Sequence, residues 1–119
     1  MKYYVSWNEV EEFIDNVAEK YRDEEIKGVY GIPRGGLIFA VMLSHKMNIP
    51  LLQAPCKNCI IIDDICDSGE SLIHYTTSRY EEQKYHITTM FYKVGASVTP
   101  EYYMKEKNNM WIVYPWEEK

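Results

Sequence analysis

Two adjacent carboxylates, Asp63 and Asp64, follow the apolar run Cys59-Ile60-Ile61-Ile62 and precede a small-residue turn, Asp67-Ser68-Gly69-Glu70-Ser71. These residue types in this order suit one kind of chemistry. Backbone N–H groups of residues 67–71 at the start of a helix form a nest for an anion, and the Ser68 and Ser71 hydroxyls add donors. A phosphate fits such a nest. The paired acids would repel a phosphate, so they are expected to accept hydrogen bonds from sugar hydroxyls or to hold a Mg²⁺-bound ligand. A phosphorylated ribose satisfies both halves. The alternative, a solvated acidic turn after a strand, would not need this arrangement.

The elements around the turn must place it at the edge of a sheet. The run 59–62 reads as a strand buried on both faces of a parallel sheet, so the acids lie at its carboxyl end, where α/β sheets bind ligands. Upstream, Ser6-Trp7-Asn8-Glu9 has capping-box spacing, and Trp7, Val10, Phe13, Ile14, Val17, Ala18 and Tyr21 recur at helical intervals, predicting a helix over about 7–22. Residues 28–32 read as a short buried strand closed by the turn Pro33-Arg34-Gly35-Gly36, followed by a nearly apolar helix over 37–47. A strand at 50–52, a brief connector at 53–58, a helix over about 72–82, a strand at 86–92, a polar stretch at 95–109 and a last strand at 110–114 complete the chain. The alternation predicts one α/β domain over residues 1–119, a Rossmann-like open, mainly parallel sheet flanked by helices with right-handed crossovers.

The segment from Cys59 to Leu72 resembles the phosphoribosyl-pyrophosphate (PRPP) signature of type I phosphoribosyltransferases: four apolar residues, two acids, then a serine-glycine turn. Ile32-Pro33-Arg34-Gly35-Gly36 is similar to that family's pyrophosphate loop, which implies a cis peptide between Pro33 and Arg34. By this resemblance Arg34, Gly35 and Gly36 hold pyrophosphate; Asp63 and Asp64 hold the ribose; and Asp67, Ser68, Gly69, Glu70 and Ser71 surround the 5′-phosphate. A Mg²⁺ ion is implied at Asp63, Asp64 and Glu117. Three positions point to the base. Asp67 stands where members acting on 6-oxopurines carry an acid that handles the N7 proton, and is the implied catalytic residue. Lys93 follows the next strand as the lysine that donates to the purine O6 does in those enzymes. The segment from Trp111 to Glu117 looks like the carboxyl-terminal segment of bacterial xanthine-guanine enzymes, which assigns stacking to Trp111 and backbone readout of the 2-substituent to Ile112.

The resemblance implies transfer of the 5-phosphoribosyl group from PRPP to xanthine, guanine or hypoxanthine, giving a nucleoside monophosphate and pyrophosphate in purine salvage. A phosphoribosyltransferase for another nitrogenous acceptor, or a PRPP- or nucleotide-binding regulator without turnover, is the alternative. Resembling enzymes carry a long flexible loop and hood strands before the PRPP signature, whereas only Gln53 to Asn58 stands here, a minimal hood. Because water competes for the reactive sugar, a homodimer is expected, with the stretch around Tyr102, Tyr103 and Met104 helping to form its interface. Glu70 replaces a small or basic residue of the turn and is expected to point outward.

Composition narrows the field further. At 119 residues with 46% hydrophobic and 26% charged residues, the chain has the balance of a folded globular domain. A net charge of −5 with no block of Lys or Arg argues against a nucleic-acid partner. No apolar run nears the roughly 20 residues of a spanning helix, and no signal-peptide core follows Met1, so no membrane role and a cytoplasmic location are expected. Three cysteines do not make a disulfide framework, and Cys56-Lys57-Asn58-Cys59 reads as a turn entering a strand rather than half a zinc site. His45, His74 and His86 receive no function.

Overall fold

The computed structural model describes residues 1–76 and 84–117. Five parallel strands form the main sheet in the order β3-β2-β4-β5-β6, where β2 is Val29–Gly31, β3 Leu51–Leu52, β4 Ile60–Cys66, β5 His86–Tyr92 and β6 Tyr102–Glu106. Chain order reverses at β2, with β3 on one side and β4 on the other, and such a switch opens a crevice beyond the carboxyl ends of the two central strands. The Pro33–Gly36 turn and the Asp63–Ser71 segment emerge there. The expected open, mainly parallel α/β sheet is therefore the observed one.

Helix α1 (Trp7–Lys20) starts on the anticipated capping box: the Ser6 hydroxyl accepts from Glu9 N, and the Glu9 carboxylate accepts from Ser6 N. Its apolar stripe, Val10, Phe13, Ile14 and Val17, is buried with Phe39, Ala40 and Leu43 of α2 (Leu37–Met47), over Ile60 and Ile62 of β4. A second apolar cluster, built on Cys59, Ile61, Ile87 and Leu72, covers the other face. Opposite the crevice, Tyr21 Oη and His86 Nδ1 both bond Glu101 Oε1, at 2.5 and 2.8 Å. No helix among the described residues is long and apolar enough to cross a membrane.

Four expectations change. Strand β4 does not end at Ile62 but continues through both acids to Cys66, because Asp63 pairs with Thr89 and Ile65 with Phe91. The stretch 95–109 contains β6, which pairs in parallel with β5. Within it Tyr102 and Met104 pack on the α1–α2 side and Tyr103 on the other, all three half-buried. The last strand, β7 (Trp111–Val113), leaves the main sheet and pairs with β1 (Lys2–Tyr4), a strand that sequence reading did not anticipate. Finally, helix α3 covers only Glu70–Ile73 and passes into a 3₁₀ turn, His74–Thr76; the rest of the helix expected over 72–82 falls largely outside the described residues.

Candidate active site

The site is built on an interruption in β4. Ile60 and Ile62 pack with the α1–α2 cluster and Ile61 with the other, as strand alternation requires. Beyond the acids the parity is reversed, with Ile65 on the α1–α2 side and Cys66 opposite, and the ladder to β5 skips Asp64. Thr89 Oγ1 donates to Phe91 O at 2.8 Å on the strand alongside. The two acids therefore sit where the sheet changes faces.

Asp63 is buried and Asp64 half-buried. Each carboxylate accepts from the next amide: Asp64 N donates to Asp63 Oδ1 and Ile65 N to Asp64 Oδ1, both at 2.8 Å. Burial, and then the neighbouring Asp64 charge, pushes the Asp63 carboxyl up to about 8. A buried acid so penalised in its charged form is a place for a hard cation or a hydroxyl-rich ligand. The Pro33–Gly36 turn leans on the same pair. Its Pro33–Arg34 peptide is cis, as the resemblance implied. Ile32 N donates to Ile62 O at 3.0 Å, and a Cβ on Gly35 would lie 2.3 Å from Asp64 Oδ2. A Cβ on Gly36 would lie 2.3 Å from Ile62 O. Both glycines are thus required by close approach. Arg34 is exposed and makes no salt bridge among the described residues.

The 67–71 turn, expected to hold a phosphate, is braced from a neighbour that sequence reading did not single out. Ser97 N and Ser97 Oγ both donate to Ser68 O, at 2.9 and 3.0 Å. Gly69 has φ +90°, and a Cβ there would strike Ser97 Oγ at 2.4 Å. Glu70 N donates to Ser68 Oγ at 3.2 Å, so one of the five amides expected to face an anion is engaged within the turn. Ser71 and Glu70 are exposed, Glu70 as anticipated, while Leu72 anchors the turn in the core.

A cavity of about 250 Å³ opens beside this turn, lined by Asp67, Ser68, Ser71, Lys107, Trp111 and Ile112 among others. Asp67 stands between two ammonium groups: Lys93 Nζ at 3.9 Å from Oδ1 and Lys107 Nζ at 3.5 Å from Oδ2. Trp111 is 70% exposed at the cavity and Ile112 is buried beneath it. Tyr114 Oη donates to Asp64 O at 2.8 Å, linking this wall to the acid pair. Lys107, like Ser97, is a residue that sequence reading missed. The parallel register Tyr92↔Glu106, with Lys107 N donating to Tyr92 O at 2.7 Å, brings Lys107 beside Lys93.

The expected Mg²⁺ set is only partly assembled. Glu117 Oε1 accepts from Tyr114 N at 3.0 Å, closing the 3₁₀ turn Pro115–Glu117. Among the described residues no three His, Cys, Asp or Glu side chains gather into a metal cluster. Asp63 and Asp64 remain as hard oxygen donors, which suits Mg²⁺ because that ion is commonly held by one or two carboxylates together with substrate phosphates. Cys56 and Cys59 form the turn that was read, with Cys59 N donating to Cys56 O at 3.2 Å.

No family model matches the chain. Over 99% of its length it superposes on 95% of a purine phosphoribosyltransferase from Pyrococcus horikoshii, with TM-score 0.84 and 31% identity. The chain belongs to the type I phosphoribosyltransferase family. Two further members share the fold at lower identity. The xanthine-guanine-hypoxanthine phosphoribosyltransferase of Helicobacter pylori matches with TM-score 0.74 and 17% identity over 98% of this chain and 94% of that one. Orotate phosphoribosyltransferase from Aeropyrum pernix matches with TM-score 0.62 and 14% identity over 81% and 70%.

Proposed function

We propose that the protein transfers the 5-phosphoribosyl group from PRPP to a 6-oxopurine, releasing pyrophosphate and forming a nucleoside monophosphate. The observation that carries this reading is Asp67, held within 4 Å of Lys93 and Lys107 beside a cavity walled by Trp111 and Ile112. An acid and a cation side by side match the proton and the carbonyl oxygen of a 6-oxopurine. In the reaction the bond from ribose C1′ to the pyrophosphate oxygen breaks, a bond from C1′ to the base nitrogen forms, and Asp67 takes up the proton that the imidazole ring loses. Lys93 donates to O6, Trp111 stacks on the base, and the Ile112 backbone reads its 2-substituent. Asp63 and Asp64 hold the ribose hydroxyls, the 67–71 turn holds the 5′-phosphate, and Arg34 with the Gly35–Gly36 backbone holds pyrophosphate. Mg²⁺, when bound through Asp63 and Asp64, neutralises charge on the departing pyrophosphate.

The connector between β3 and β4 is short, so we propose that a second copy of the chain screens the ribosyl centre from water. Sedimentation tests this arrangement, and a monomer that releases almost no pyrophosphate without base removes it. For the reaction itself, pyrophosphate release is measured with PRPP, Mg²⁺ and each of hypoxanthine, guanine, xanthine, adenine and orotate. Release with the oxopurines alone is the expected result. Release with orotate or adenine alone reassigns the acceptor, and PRPP binding without release under any base makes the protein a binding module.

A further inference from the structure

Lys107 has no role in the reading above beyond its place beside Asp67, yet it is the more deeply set of the two lysines. Its side chain is 13% exposed, against 46% for Lys93, and it lines the cavity that Trp111 and Ile112 wall. Its stem is fixed by its own backbone, since Lys107 N donates to Tyr92 O at 2.7 Å where β6 runs out. One carboxylate, Asp67, is shared by both ammonium groups. The base end of the site therefore carries one positive charge more than that acid balances. A cavity at whose edge two ammonium groups share one carboxylate favours a guest that brings a negative charge of its own.

We propose that Lys107 is a specificity-determining residue that selects an anionic oxopurine, and xanthine, which loses a ring proton near neutral pH, is the base of that class. This inference rests on the oxopurine reading. Hypoxanthine and guanine remain neutral over the same range and gain nothing comparable from a second ammonium group.

Lys107→Met keeps the length of the stem and removes the charge, leaving the backbone bond to Tyr92 intact. Steady-state kcat/KM is measured for xanthine, guanine and hypoxanthine from pH 6 to 9 in the wild type, in Lys107→Met and in Lys107→Arg. In the wild type the preference for xanthine over hypoxanthine is expected to rise with pH. In Lys107→Met it falls about tenfold or more, the scale of one hydrogen bond to a charged partner, and loses its pH dependence, while Lys107→Arg retains most of it. An equal loss for all three bases, or a wild type without preference for xanthine, overturns the proposal. If no base releases pyrophosphate, the activity reading falls by itself, and calorimetry with the xanthosine and inosine monophosphates decides the role of Lys107. A xanthosine monophosphate preference that Lys107→Met abolishes supports it; no preference, or binding of neither, refutes it.

Discussion

The two halves of the site are held by different means. Around the acid pair, every contact involves the backbone: Ile32 N on Ile62 O, Gly36 against the Ile62 carbonyl, Gly35 against the Asp64 carboxylate, and each carboxylate on the next amide. Around Asp67, two long lysine side chains, Lys93 half exposed and Lys107 more deeply set, reach the carboxylate at 3.9 and 3.5 Å, beside an indole that is mostly in solvent. The first half has little freedom to vary because a single added methyl collides with it. The second can change its preference by exchanging a side chain, without touching the sheet. A sugar phosphate common to a whole family needs the first kind of site, and a base that differs among members needs the second.

This contrast can be broken at either end. Asp67→Asn is expected to lower kcat by about 10²- to 10⁴-fold, the usual contribution of a positioned general base, with little change in PRPP affinity. Equal losses in both, measured by steady-state kinetics and by PRPP titration, would make Asp67 a structural residue. Gly35→Ala should produce the opposite split. The new Cβ displaces the Asp64 carboxylate, and a misplacement of about 1 Å near the reacting centre costs about a hundredfold in kcat/KM. That loss is expected for every base alike, and a loss confined to one base would erase the division.

Two smaller effects sharpen it. The Asp63 carboxyl is raised from 3.8 to about 8 by burial and by Asp64, so the folded protein favours its protonated form. The stability this brings is complete below the unfolded value and is lost as pH rises through the folded one. Between pH 4 and 8 the melting temperature of the ligand-free protein is expected to fall by about 4 °C or more, the equivalent of about 1 kcal/mol. Asp63→Asn flattens that slope, and an unchanged slope in the variant assigns it to other groups. Tyr114→Phe removes the hydroxyl that donates to Asp64 O, with an expected cost of about 1 kcal/mol in urea unfolding. No cost at all would separate the β7 wall from the acid pair energetically.

Sequence patterning was sufficient where local physics decides. Helix Leu37–Met47 and strand His86–Tyr92 lie where they were read, because an apolar block between a glycine turn and Asn-Ile-Pro, and a β-branched and aromatic run, leave few options. The signature turn and pyrophosphate loop were readable as residue types. Strand β6 was not, since Tyr102, Tyr103, Met104, Lys105 and Glu106 show no alternation and form an edge whose only strand neighbour among the described residues is β5. Lys107 was lost with it: its meeting with Asp67 depends on strand register rather than on sequence spacing. Nor did proximity in a motif reveal that the Glu117 carboxylate accepts from Tyr114 N and closes its own turn. The change of parity after Asp63 and Asp64 was likewise invisible in a run that is apolar on both faces.

The pairing of β1 with β7 bears on the order in which the pieces come together. Lys2 lies opposite Trp111, and Trp111 N donates to Met1 O at 3.0 Å, so this small sheet closes a loop of nearly the whole chain. The phosphate turn, by contrast, follows directly on β4 and is braced by Ser97 just past the adjacent strand. Contacts between distant segments cost more chain entropy to close and tend to form late. The wall that carries Trp111 and Ile112 thus belongs to the last stage of assembly, and a chain folded only as far as Ser97 would possess the braced turn proposed to hold phosphate before it possessed the wall proposed to tell one base from another.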